Sequence, residues 1–277
     1  MSQRVWRRAE KPRVVRAIVA INIFVFLFWQ LPIDSVTEFM MNNFLVSGEG
    51  LASGYLWTLL TSVFSHASFL HIFVNMYVFF GFGTILELAL GHGRFLFFYL
   101  VAGIVASLSH ALISSWLMHS PELPALGASG AIAGVVMVFS FLFPKERILI
   151  FGLIPVPAIW GAILMMALDI WGLSFQVKGG GLPIGYGAHL GGAFTGILYY
   201  FFFLKPFFAK NISRDPNSFR RKNEPLSTTE NCCLLCGTNW RLKILLTCAP
   251  MVSVLASPLL EVSGSENSFT RRLYEFK

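Results

Sequence analysis

Residues 126–134 read LGASGAIAG, and Ser129 is the one side chain among them equipped for chemistry. Small residues on both sides suit two different purposes. Gly130 and Gly134 form a small-xxx-small pair that lets helices approach closely in lipid. The same glycines also leave a hydroxyl reachable, and a serine at a helix start can simply cap the free N–H groups there. The surroundings have to decide between these readings.

Those surroundings are apolar. The 277-residue chain is 55% hydrophobic, with 28 phenylalanines, and only 13% charged, where a soluble domain carries about a quarter. Its mean hydropathy is +0.66. Six runs come near or exceed the length that crosses a bilayer: Val14–Leu31, Leu70–Leu86, Phe95–Leu117, Gly127–Phe143, Ile148–Ile170 and Ile184–Leu204. In lipid every backbone group must be bonded internally, so these runs are read as helices. The expected fold class is all-α, a polytopic membrane protein with a six-transmembrane-helix bundle over residues 14–204.

Charge gives the runs their direction. Pro32–Leu56 holds Asp34, Glu38 and Glu49 but no Lys or Arg, and residues 119–125 also lack them. Arg94, Lys145 and Arg147 fall in the alternate turns, and the fifth connection has only Lys178. Positive-inside sorting then puts both ends of the bundle on the inner side. Residues 1–13 are a basic cytoplasmic N-terminus, expected to lead into a retained first helix rather than a cleaved signal. The formal charge of +7 collects at the flanks of the apolar runs, as topology signals do, so no nucleic-acid partner is expected.

Residues 205–277 form a basic, partly apolar tail, expected to be disordered or loosely membrane-associated. Leu242–Val262 is a weak seventh span at most, because Pro250 and Pro258 interrupt it. Cys232, Cys233, Cys236 and Cys248 lack the paired spacing and nearby histidines of a zinc site, so they read as reduced or lipidated thiols. No cofactor and no metal are expected.

Ionisable groups inside spans are candidate functional sites. His92 and His119 fall in connections and are expected to be solvated, while His110 reads as a hydrogen-bonded residue between helices. His71 begins HIFVN, which stacks Asn75 one turn further along the same helix face. Both enter from the outer side, with His66 just before them as a loop anchor. Ser129 starts the fourth run from that same side, and His189, within GAHLGGAFTG, lies early in the sixth. Three separated elements thus place polar groups in one layer below the outer surface. A histidine there can take the proton of a serine hydroxyl, and free N–H groups at a helix start can hold the oxyanion that follows. Glycines 187, 191, 192 and 196 let the sixth helix approach the fourth.

HIFVN, GASG and AH followed by GG, in this order and orientation, resemble the rhomboid family of intramembrane serine proteases, over roughly Trp57 to Leu204. The resemblance implies Ser129 as nucleophile and His189 as general base. His71, Asn75 and the Ser129 backbone N–H would be oxyanion donors, with Gly127, Gly130, His66, Gly191 and Gly192 in support. It implies cleavage of transmembrane segments of single-pass membrane proteins near the outer face, within the lipid bilayer and without metal or nucleotide. FPKERILIFGLIPVPA also looks like the segment after the serine helix in many members, organellar ones included.

The chain departs from the family in places. Trp57-Thr58 replaces the Trp-Arg of many members, and Ala133 stands where some bacterial members have a tyrosine against the histidine. Tyr186 or Phe194 is then expected to hold the His189 ring. No acidic third member is evident, and Asp169 reads as a loop or cap residue. The alternatives are a non-catalytic rhomboid-like protein that binds transmembrane helices, and more remotely a channel or transporter. A bacterial inner membrane is the expected location, with the mitochondrial inner membrane as the alternative.

Overall fold

The computed structural model describes residues 11–150 and 154–207. The seventh span, the cysteine cluster and the first ten residues of the basic N-terminus lie outside them. The chain is a helical membrane bundle. Helix α1 (Val14–Trp29) leads into a connection folded as α2 (Asp34–Phe44), α3 (Gly48–Ala52), α4 (Thr58–Thr61) and a 3-10 turn at Ser62–Phe64. Helices α5 (Phe69–Leu90), α6 (His92–Trp116) and α7 (Ser129–Leu142) follow. After a hairpin of β1 (Arg147–Ile150) and β2 (Ile154–Pro157) come α8 (Ala158–Val177) and α9 (Tyr186–Tyr199), which runs on through a π-helical turn at Tyr200–Leu204.

Among the described residues, four helices are long and apolar enough to cross a membrane: Phe69–Leu90, His92–Trp116, Ala158–Val177 and Tyr186–Phe207. Helices α1 and α7 are apolar but shorter. Helix α7 has 14 residues, about 21 Å at 1.5 Å per residue, against a hydrocarbon core of about 30 Å. It can be short because it is central: every residue from Gly130 to Ser140 is buried. Irregular backbone at membrane depth is tolerated only inside protein, and the strand-like approach to α7 meets that condition. Val46 and Ala125 exchange both backbone hydrogen bonds, at 2.9 and 2.8 Å, and Gly127 N–H donates to the Ser62 carbonyl at 2.9 Å. Ser129 therefore starts a helix below the rim of the bundle.

Glycine brings α9 against α7 nearly backbone to backbone. A Cβ built on Gly192 would stand 1.8 Å from the Gly130 carbonyl oxygen, and one on Gly196 2.6 Å from that of Gly134. Gly187 and Gly191 do not join this contact. They face Ile113 and Ser109 of α6, so the glycine stripe of α9 serves two neighbours.

The fifth apolar run does not begin a helix at Ile148. The paired strands Arg147–Ile150 and Ile154–Pro157 lie there instead, and the helix occupies Ala158–Val177. Pro155 and Pro157 explain the shift, since each lacks an N–H and would clash within a helix, and Ile148, Ile154 and Val156 suit a strand. His92 is a second correction. It is not merely solvated: its Nδ1 hydrogen-bonds Glu87 Oε1. Glu87, at the end of α5 opposite to His71, is fully buried and also accepts the N–H groups of Arg13 and Val14 (Oε1, 2.7 and 2.8 Å) and Val15 (Oε2, 2.8 Å). A carboxylate from one helix thus caps the positive N-terminus of another.

Candidate active site

Three helix ends meet around Ser129. Its hydroxyl, on the first residue of α7, lies 2.9 Å from Nε2 of His189, the fourth residue of α9. The first N–H groups of a helix have no intrahelical partner, so the same helix start presents free donors beside the hydroxyl. Both side chains are half-buried rather than sealed.

The other ring nitrogen of His189, Nδ1, lies 2.9 Å from Oδ1 of Asp169. This corrects the reading of Asp169 as a loop or cap residue. It stands on α8 eight residues before the helix ends at Val177, about 12 Å along the axis, and is 5% exposed. Its second oxygen, Oδ2, is buried without a partner among the described residues. The aromatic candidates for holding the His189 ring have other surroundings. Phe194 is 56% exposed, and the Tyr186 ring lies on Gly172, where a Cβ would come within 2.3 Å of Cζ.

His71 comes from α5, whose N-cap Ser68 accepts the His71 N–H through its side chain at 3.3 Å. Its imidazole lies against Gly127, where a Cβ would stand 2.8 Å from Cε1 and 3.0 Å from Nε2. Gly127 also has φ +121°, a conformation that disfavours any side chain. Only glycine meets both demands, and that brings His71 against the residue two before Ser129. His71 and His189 are near enough to interact electrostatically. Asn75 sits one turn further along α5, 7% exposed, and its NH2 donates to the His71 carbonyl at 2.9 Å. An amide NH2 has two donors, and that bond uses one of them.

His66 packs edge-to-face on His71, with ring centroids 4.8 Å apart. It is fully buried, and its Nε2 accepts the Ala128 N–H at 3.4 Å. Burial pushes its pKa well below the ordinary imidazole range, and His71 beside it adds to the shift. His66 thereby braces the backbone that presents Ser129. His110 bonds the Leu123 carbonyl of the connection at 3.1 Å rather than another helix. His119 is exposed in that connection, at φ 54°.

The structure therefore gathers Ser129, His189, His71, Gly127 and His66, with Asn75 a turn away and Gly130 and Gly192 closing the helices. Gly191 lies on the α6 side. Among the described residues no group of three or more His, Cys, Asp or Glu is arranged to hold a metal. What the arrangement offers is a hydroxyl 2.9 Å from one imidazole nitrogen, a carboxylate oxygen 2.9 Å from the other, and donors nearby.

Comparison with known proteins gives the family of the chain. Residues 53–206 match the family model described as the rhomboid domain. Rhomboid protein 1, mitochondrial, of Saccharomyces cerevisiae is 36% identical over 194 residues, covering 67% of this chain and 52% of that protein. RHOMBOID-like protein 12, mitochondrial, of Arabidopsis thaliana is 33% identical over 192 residues, 65% of this chain and 55% of its own. The human presenilin-associated rhomboid-like protein, mitochondrial, is 33% identical over 196 residues, 68% and 47%. The chain spans about half the length of the curated relatives it matches. All three names are mitochondrial, which overturns the expectation of a bacterial inner membrane.

Proposed function

The chain belongs to the rhomboid family, whose members act on transmembrane segments in a bilayer, and from that premise we propose that it is an intramembrane serine endopeptidase. Ser129 is the nucleophile and His189 the general base. The observation that carries this reading is the 2.9 Å hydrogen bond between Ser129 Oγ and His189 Nε2 at the start of a buried helix.

The chemistry follows from those atoms. A substrate helix that unwinds near the outer face offers a peptide carbonyl to Oγ. As the C–O bond forms, the hydroxyl proton passes to Nε2, a transfer that contributes about 10² to 10⁴-fold. The negative charge moves to the carbonyl oxygen, where the Ser129 N–H, His71 and Asn75 receive it; each such donor is worth about 10² to 10³-fold. When the tetrahedral intermediate collapses, the C–N bond breaks and Nε2–H protonates the leaving amine. Water then repeats the sequence on the acyl-enzyme, giving its proton to Nε2, and Ser129 Oγ recovers one as the ester breaks.

Six membrane-spanning helices, with α1 and α7 completing the four longer ones, enclose this layer. The names of the relatives support a mitochondrial membrane as the location. The substrates are single-pass membrane proteins whose spans contain small, helix-weakening residues near the outer end.

Purified protein in liposomes should cleave a single-span reporter of that kind, and chelators should not change the rate. Ser129→Ala and His189→Ala should leave the reporter intact while the bundle melts as before. Cleavage that survives in purified Ser129→Ala would overturn the assignment.

A further inference from the structure

Asp169 is the buried group that the two-residue mechanism leaves without a task. Three observations bear on it. Its Oδ1 and Ser129 Oγ sit on opposite nitrogens of one imidazole, each at 2.9 Å. A neutral imidazole has one N–H and one bare nitrogen, and which is which follows from its partners. An ionised carboxylate can only accept, so Nδ1 facing Asp169 carries the proton, and Nε2 is left bare to accept from Ser129.

The second observation is energetic. A carboxylate in a dry layer with Oδ2 unpartnered among the described residues is costly, and an apolar side chain would fill the same space more cheaply. Packing alone therefore gives no reason for an aspartate.

The third is geometric. Two of the contacts between α8 and α9 lie one turn apart. Gly172 receives the Tyr186 ring, and three residues along each helix Asp169 meets His189. A Cβ on Gly172 would come within 2.3 to 2.7 Å of three atoms of that ring. A side chain there would push α8 outward and carry Asp169 away from His189. Gly172 thus sets the approach that Asp169 needs.

We propose that Asp169 is a positioning residue for His189, holding the ring in the Nδ1–H tautomer with Nε2 aimed at Ser129, and that Gly172 under Tyr186 fixes the helix spacing this requires. The proposal rests on the protease reading of Ser129 and His189. During turnover the Asp169 carboxylate accepts from Nδ1–H throughout, takes no proton from it, and stabilises the imidazolium that forms when Nε2 takes the serine proton. In Asp169→Asn the amide can turn either its oxygen or its NH2 to Nδ1, so the tautomer is no longer fixed.

The test uses the full chain in liposomes with the single-span reporter, beside ¹⁵N NMR of histidine-labelled protein. Asp169→Asn should lower kcat by about 10² to 10⁴-fold with KM within about twofold, as loss of an orienting carboxylate does. Asp169→Glu should recover much of that rate, and Gly172→Leu should lose about tenfold or more through displacement of α8. In the wild type, and in Ser129→Ala, the His189 spectrum should show Nδ1 protonated and Nε2 bare; in Asp169→Asn that pattern should be lost. Retention of kcat within about threefold in Asp169→Asn, or an Nε2–H tautomer in the wild type, would overturn the proposal. The tautomer is read without any variant, so it decides for or against Asp169 even where Asp169→Asn does not fold. If Ser129→Ala cleaves as fast as wild type, the protease reading fails instead, and the tautomer continues to report on Asp169 alone.

Discussion

The bundle buries an ionisable network at each end, and the two are built differently. Around Glu87 both oxygens are used: the N–H groups of Arg13 and Val14 and the His92 ring bond Oε1, and the Val15 N–H bonds Oε2. Around Ser129 the network has open positions. Asp169 Oδ2 and His66 Nδ1 are buried without partners among the described residues, and the Ser129 and His189 side chains are half-buried. A saturated buried network holds helices together and has nothing left to offer a ligand. A network with unused donors and acceptors is costly to fold, and packing alone gives no reason to keep it. The Glu87 end is a clamp, and the Ser129 end is, under the proposed function, where the chemistry takes place.

Variants at the two ends should therefore fail in different ways. The largest effect belongs to the open end. Ser129→Ala and His189→Ala should each lower kcat by about 10³-fold or more while leaving thermal unfolding in detergent within about 2 °C of wild type. A comparable fall in melting temperature would mean that the hydroxyl and imidazole also hold the fold.

At the closed end the pattern should reverse. Glu87→Ala strips three N–H groups and His92 of their acceptor and should destabilise the bundle by about 3 to 5 kcal/mol. Activity per folded molecule should then stay near wild type. If folded Glu87→Ala protein were catalytically dead, Glu87 would belong to the chemistry and the contrast would collapse.

Gly192→Ala tests what joins the two ends. Its Cβ would meet backbone, the Gly130 carbonyl, and backbone cannot rotate away. A destabilisation of about 1 to 3 kcal/mol and separation of Ser129 from His189 should follow. Gly191→Ala meets the Ser109 side chain instead, so part of its effect should be relieved by Ser109→Gly. Equal damage from the two, with no relief by Ser109→Gly, would argue against the α7–α9 contact as the critical one.

The smallest effect is a pH dependence at His66. Its folded pKa is depressed by burial, so below about pH 6.5 the unfolded chain binds a proton that the folded chain does not. Stability should then fall as pH drops, by at most about 1.4 kcal/mol per pH unit from this residue, and be unaffected by it above about pH 7. His66→Gln keeps an acceptor for the Ala128 N–H but cannot titrate, and unfolding measured from about pH 7 down to about pH 5 should show a shallower slope.

Much of the open end is legible in the sequence. HIFVN, GASG and GAHLGG place His71, Asn75, Ser129 and His189 on helices whose directions follow from the basic turns, and helix direction is what converts spacing into depth. Both principal omissions lie at the ends of apolar runs. Asp169 reads as terminal because a run of apolar residues cannot show that strands Arg147–Ile150 and Ile154–Pro157 come before the helix; Pro155 and Pro157 carry that signal. Glu87 escapes notice because the second run closes at Leu86, one residue short. The folded outer connection, α2 to α4, is also hidden, since its helices are short and its hold on α7 is made by backbone hydrogen bonds that no side-chain pattern records.

The claim that the Ser129 end is a serine-nucleophile site is tested most directly by the position of a covalent adduct. Intact protein in liposomes treated with a fluorophosphonate should carry one adduct, mapped by mass spectrometry to Ser129. The adduct should be absent in His189→Ala and scale with folded fraction in Glu87→Ala. An adduct on another serine, or none on folded wild-type protein that cleaves its reporter, would contradict it.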